Sequence, residues 1–220
     1  MTGAGEAKRD GESRIDRRRL RTRSALLGAG QKLFADRHID GVTIDDIVEA
    51  ADVAKGSFYN HFDGKESLAD AIIELVQGDC EREVFAVNLD IEDPSVRVAR
   101  AMAALIRYAR QHPDRYQSMV NLAKRRADIN APINAGARRD IGAGIASGQF
   151  AGISVEMGVM VMLSMIAQAV DYISTTPNVR SHKAVAREMA FMLLRALGVN
   201  SETAGSVSEI AIADLFNTKG

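Results

Sequence analysis

Apolar residues recur along the chain at helical spacing, and alternating apolar-polar runs are almost absent, which predicts an all-helical protein. A first helix is expected from about Arg17 to Arg37, with Leu26, Leu27, Gly30, Leu33 and Phe34 on one face. Its N-terminal part carries Arg17, Arg18, Arg19, Arg21 and Arg23. Ile44, Ile47, Val48 and Ala51 form the apolar face of a second helix. Thr43 suits its N-cap, and Asp46, three residues on, suits the reciprocal bond of a capping box. Asp52-Val53 is a turn, followed by a short helix from about Lys55 to His61. Asp63-Gly64 breaks the pattern before a long helix from about Lys65 to Val87.

The remainder also reads as helices. Asp93 followed by Pro94 is an N-cap with proline at the first helical position, opening a helix that ends near His112-Pro113. Asp114 to about Arg126, and a segment from Ala131-Pro132 into the glycine-rich Gly142–Gly152 stretch, are the next two. Ser154 and Ser181 precede helices at about Val155–Ile173 and His182–Leu197, the second stopped by Gly198. A last helix is expected at Val207–Phe216. Residues 1–15, rich in glycine and charge, read as a mobile tail, 16–64 as one domain and 65–220 as a larger one.

Composition narrows the function classes. With 220 residues, 46% of them hydrophobic, the chain can bury a core, and 26% charge at a net −1 argues against bulk disorder. A single cysteine, Cys80, excludes an internal disulfide framework and fits a reducing compartment. The N-terminus has no apolar signal core, and the most apolar segment, Met157–Ala167, is shorter than the roughly 20 residues that span a bilayer. A cytoplasmic protein with no membrane partner is expected. His38, His61, His112 and His182 are far apart, and neither a metal-ligand spacing, a phosphate-binding glycine loop nor a Cys/His nucleophile pattern occurs. Neither enzyme chemistry nor a cofactor is expected.

Charge is segregated where the chain as a whole is neutral. Arg14–Arg37 holds eight basic residues and two acidic ones, whereas His38–Asp52 holds five acidic residues and no Lys or Arg. Such a distribution can orient a molecule on a polyanion. The three short N-terminal helices, with a tight turn between the second and third, form a helix-turn-helix, which places its last helix in the DNA major groove. In that helix Phe58 and Phe62 pack inward, while Lys55, Ser57, Tyr59, Asn60 and His61 keep hydrogen-bonding groups available. Gly56 lets the backbone approach a base edge or phosphate closely. A nucleoid-type architectural binder would show a strongly positive net charge, which this chain lacks.

The run TIDDIVEAADVAKGSFYNHFDGKESL, from Thr43 to Leu68, resembles the TetR family of transcriptional regulators. The matching positions are Thr43, Ile47, Ala51, Val53, Lys55-Gly56, Phe58-Tyr59, His61-Phe62, Lys65 and Leu68, with Leu26-Leu27, Ala29, Leu33-Phe34 and Gly41 upstream. The resemblance implies that Thr43, Tyr59, His61 and Lys65 contact phosphates and that Lys55, Gly56 and Ser57 sit at base edges. That division agrees with the donor chemistry of each group. Tyr59 packing on the second helix, His61 as an inert helix end and Lys65 as a solvated helix-start charge are the plainer alternatives. For the arginines of the first helix, a solvated tail stands beside contact with the minor groove. Four positions depart from the pattern: Gly30 replaces the usual alanine, His38 and Asp52 replace glycines, and Ala54 replaces a capping serine.

For residues after about 68 the resemblance implies a domain that binds a small hydrophobic effector and forms a homodimer through the last two long helices. Met162, Ile166, Val170, Val185, Met189, Met192 and Leu193 are the interface candidates, on two helices with broad apolar faces. Tyr108, Tyr116 and Met119 flank the Pro113 break and, with Met165, are the effector-pocket candidates. A methionine-rich helix such as Met157–Met165 reads first as core. The expected partner is duplex DNA carrying a palindromic operator.

Overall fold

The computed structural model describes residues 4–123, 134–176, 181–213, 215 and 216. Among them are ten α-helices and one 3-10 turn, and no strand. The helices are α1 (Ala4–Asp36), α2 (Ile44–Ala50), α3 (Lys55–Tyr59), α4 (Lys65–Val87), α5 (Pro94–Gln111), α6 (Pro113–Ala123), α7 (Ala135–Ala146), α8 (Val155–Thr175), α9 (His182–Ala196) and α10 (Ser201–Ala213). The 3-10 turn, Ile39–Gly41, lies between α1 and α2.

The chain divides into two compact units, Met1–Val76 with Asp114–Arg126, and Gln77–Pro113 with Ala127–Gly220. The sequence expectation drew one boundary, after residue 64. The division instead falls inside α4, and α6 belongs to the first unit. The first half of α4 packs on α1, so closely that a Cβ at Gly30 would stand 2.8 Å from Ile72 Cδ1 and 3.0 Å from Leu68 Cδ2. This accounts for glycine where the family pattern has alanine. Asn121 of α6 donates from Nδ2 to the carbonyls of Phe34 and Ala35, at 3.0 and 2.9 Å. It thereby satisfies carbonyls left open at the end of α1.

Caps fix several boundaries where the sequence placed them. Asp93 accepts from Val96 N–H and Ser154 from Met157 N–H, at 2.9 and 3.2 Å. α9 stops at Gly198, whose φ of +90° and approach to the Ala151 backbone leave no room for a side chain. Other boundaries differ. α1 begins at Ala4, not near Arg17, through a stretch whose Ala, Glu, Lys and Arg favour helix. α10 begins at Ser201, not Val207, because Asn200 Oδ1 accepts from Thr203 N–H at 2.9 Å. The expected helix start at Ala131-Pro132 lies outside the described residues.

In the second unit α5 is the central helix, lying against α7, α8, α9 and α10. Its small residues Ala99, Ala101, Ala103, Ala104 and Ala109 are buried, which lets four neighbours approach. Its arginines hold chain ends: Arg100 donates to the Val87 and Ala211 carbonyls, and Arg107 to the Leu215 carbonyl and to Glu83. Cys80 is buried, and burial, followed by Asp79, Glu83 and Glu81, pushes its thiol up to about 12. It stays a thiol, as an ordinary core residue does.

Two expectations are corrected here, one on the interface and one on the length of the most apolar segment. Met162, Ile166, Val185 and Leu193 are buried inside this chain, so they serve its own core. Periodicity marked them as apolar but did not distinguish the inner side of a doubly apolar helix from the outer one. Val170 and Met189 are half-buried, and Met192 is exposed. The second correction concerns α8, which at 21 residues is by length and composition apolar enough to cross a membrane. The expectation to the contrary considered only Met157–Ala167. Only 28% of the helix's most apolar window is buried within the chain.

Candidate nucleic-acid interface

The first unit builds a helix-turn-helix from local chemistry. Thr43 Oγ1 accepts from Asp46 N–H at 3.1 Å, and Asp46 Oδ2 accepts from Thr43 N–H at 2.9 Å, completing the expected capping box. The two Thr43 bonds, backbone first, then Arg37 at 3.8 Å, hold the Asp46 carboxyl below its ordinary range. α2 ends in a turn at Asp52, the one non-glycine with positive φ among the described residues, at +53°. Aspartate is among the few residues that tolerate this region, so the departure from glycine keeps the turn. His38 needs no such tolerance: its φ is −61° and it caps the 3-10 turn. Ala54 opens α3 with no side-chain cap, as its methyl dictates.

α3 is anchored from beneath by Phe58, fully buried, with the Tyr59 ring edge-on to it at 5.5 Å and the Phe62 ring at 5.8 Å. Lys55, Gly56, Tyr59 and Asn60 are exposed, and Ser57 is half-buried. Tyr59 packs on Phe58 of its own helix and remains 52% exposed. A Cβ added at Gly56 would meet no atom within 4 Å. Nothing inside this chain requires glycine there, and glycine weakens a helix.

Lys55 Nζ is paired with Asp45 Oδ1 at 2.7 Å, and that hydrogen bond, then the charge of Asp45, raises the ammonium's pKa. Both side chains are exposed, so the ammonium can exchange this carboxylate for an acceptor on DNA. Lys65 differs from its expected role as a phosphate ligand. Its Nζ donates to the Ile39 and Val42 carbonyls at 3.0 and 3.1 Å, binding the start of α4 to the 3-10 turn and the entry to α2. Carbonyls at the end of the turn attract the nearest cation. His61 lies half-buried at the exit of α3, its pKa lowered by burial first and then by Arg19 and Arg23. Sequence reasoning did not anticipate the Lys55–Asp45 pair, the Asn121 bonds or the Arg23 guanidinium over the Phe62 ring, all of which depend on contacts between elements.

The effector-pocket candidates do not form one group within a unit. Tyr108 is buried in the second unit, donating to Asp79 Oδ2 at 3.1 Å, and Met165 is half-buried there. Tyr116, buried, and Met119, half-buried, lie on α6 in the first unit. Among the described residues no group of three or more His, Cys, Asp or Glu could hold a metal ion.

A helix-turn-helix with an exposed polar third helix, joined to a separate all-helical unit, defines the class: a two-unit, all-helical helix-turn-helix protein. Residues 26–72 match the family model described as bacterial regulatory proteins, tetR family. By this region, about a fifth of its length, the chain is similar to the TetR family. It is similar to the HTH-type transcriptional repressor DhaR of Mycobacterium sp. (strain GP1), 35% identical over 79 residues, which are 36% of this chain and 40% of that protein. It is also similar to the HTH-type transcriptional repressor KstR2 of Rhodococcus jostii (strain RHA1), 41% identical over 71 residues, 31% of this chain and 35% of that one. The alignments thus span well under half the length of these relatives. The fold likeness reaches further. A gamma-butyrolactone receptor (ArpA-like protein) superposes with a TM-score of 0.68 at 19% identity, over 89% of this chain and 99% of that one. AibR, in a complex with isovaleryl coenzyme A and operator DNA, gives 0.64 at 19% identity, over 79% and 98%.

Proposed function

We propose that this protein is a sequence-specific DNA-binding regulator, a repressor that a small hydrophobic effector releases from its operator. One observation carries the reading: α3 is fixed from beneath by Phe58 while Lys55, Gly56, Tyr59 and Asn60 stand in the open, with a glycine that the chain itself does not need. Lys55 and Ser57 at the front of the helix reach base edges, and Gly56 lets the backbone close on the groove. Thr43, Tyr59 and His61 donate to phosphates, which sets register without reading sequence. The repressor names of DhaR and KstR2, and the operator DNA bound by AibR, support the same reading.

The protein acts in the cytoplasm as a homodimer. Met157, Met160, Leu163 and Tyr172 of α8 and Met192 of α9 are exposed, as are Phe85, Leu89 and Ile210 elsewhere in the same unit. An apolar helix left this open within one chain is covered by a second copy. The dimer presents two α3 helices about one DNA turn apart, matching a palindrome-like operator. The effector binds in the second unit, where Tyr108 and Met165 are the candidate contacts, and favours a spacing of the two α3 helices that no longer fits. Footprinting on the DNA upstream of the protein's own gene, followed by fluorescence anisotropy on the protected duplex and a scrambled one, tests the reading. Preference for the protected sequence is expected. Equal affinity for both indicates an architectural binder instead, and no binding at low salt rejects DNA as the partner.

A further inference from the structure

α1 runs well beyond the part of it that packs into the first unit, where burial begins at Leu26. Its preceding turns pass beside the exit of α3. There Asp16, Arg19, Leu20, Arg23 and His61 line an open groove. The Arg23 guanidinium carbon stands 4.7 Å from the centroid of the Phe62 ring, and the His61 and Phe62 ring centroids are 6.4 Å apart. A buried aromatic therefore holds one of the groove's guanidinium groups beside the His61 ring. Among the described residues no ion pair holds Arg19 or Arg23. Asp16 is the acidic member of the lining, set against two guanidinium groups. Exposed Leu20 offers an apolar edge of the size of a sugar.

We propose that this groove seats a backbone phosphate of the duplex, held by Arg19 and Arg23 of α1 together with His61, so that the helix preceding the helix-turn-helix is part of the DNA-binding surface. Guanidinium groups suit the two free oxygens of a phosphodiester, and such contacts fix register without reading bases. The half-buried place of His61 beside two arginines supports the same assignment, since the one carboxylate in the lining, Asp16, stands against two guanidinium groups. The inference rests on the DNA-binding reading above but fails separately from it.

The test is the salt dependence of anisotropy-measured binding to the footprinted duplex for the full-length wild type and the Arg19→Ala/Arg23→Ala double variant. Each lost phosphate contact makes the slope of log K against log salt shallower by about 0.9, so a change of about 1 to 2 is expected, with roughly tenfold weaker binding at low salt. Preference over a scrambled duplex stays as in the wild type. Arg19→Glu leaves the Arg23–Phe62 stack in place and is expected to weaken binding at least as much, with an unchanged melting temperature. An unchanged slope in folded variants overturns the proposal. So does saturable binding of inorganic phosphate at the groove, followed by the His61 ring resonances, with duplex binding indifferent to both variants; the groove then takes a free anion. A slope change in a protein that fails to prefer its operator supports the groove while rejecting sequence-specific regulation.

Discussion

The first unit buries Phe34, Phe58 and Phe62 and turns polar groups outward along α3, whereas the second unit leaves an apolar strip of α8 and α9 uncovered. Phe58 is fully buried beneath Lys55, Tyr59 and Asn60, while Met157, Met160 and Leu163 lie open along a helix that is apolar on more than one side. The contrast shows which surface awaits which partner. Hydrogen-bonding groups in the open suit a hydrated polyanion, and methionine and leucine in the open suit another apolar surface. It also separates two uses of glycine. A methyl at Gly30 would press on the side-chain ends of Ile72 and Leu68, whereas one at Gly56 would meet nothing within 4 Å.

The sharpest way to break this contrast is to remove its support. Phe58→Ala is expected to cost the first unit about 3–5 kcal/mol, read by chemical denaturation, and to abolish operator binding. Next comes the apolar strip. Leu163→Glu with Met192→Glu is expected to shift the protein to monomer in sedimentation and to weaken operator binding at least a hundredfold; a variant that stays dimeric removes α8 and α9 from the interface. Thr43→Ala is expected to lower stability by about 1 kcal/mol through the lost cap, with a further loss of DNA affinity that the cap alone does not predict.

The smallest expected effect is that of pH. His61 faces Arg19, Arg23 and Asp16, and its pKa in the free protein lies below the ordinary imidazole value of 6.5. As pH falls through 6.5, the unfolded chain takes up the proton first, so the free protein loses stability. His182, lowered by burial and then by Arg110, acts in the same direction in the second unit. A phosphate beside His61 reverses the sign there: bound protein takes up the proton more readily, and operator affinity rises a few-fold on acidification over this range. The same titration with His61→Gln separates its contribution from that of other groups.

What the sequence revealed was local. The Thr43–Asp46 box, the Asp93 and Ser154 caps, the turn at Asp52 and the outward residues of α3 all follow from neighbours within four positions. What it concealed depends on distant parts of the chain. Lys65 reaches carbonyls 23 and 26 residues away, and Asn121 closes α1 from 86 and 87 residues away. Four of the seven interface candidates, Met162, Ile166, Val185 and Leu193, fall in the core for a related reason. A 3.6-residue period identifies an apolar side, but α8 has two, and only the packing of α5, α7 and α9 around it shows that Met162 and Ile166 face inward.

The most direct measurement is on Gly56→Ala, taking melting temperature and operator affinity from the same preparation. With open space around the added methyl and a better helix former in place, stability is expected to hold or rise by up to about 1 kcal/mol, while affinity for the footprinted duplex falls tenfold or more. A variant that melts as expected and binds that duplex as tightly as the wild type would contradict the account, because α3 would then not be the surface that meets DNA.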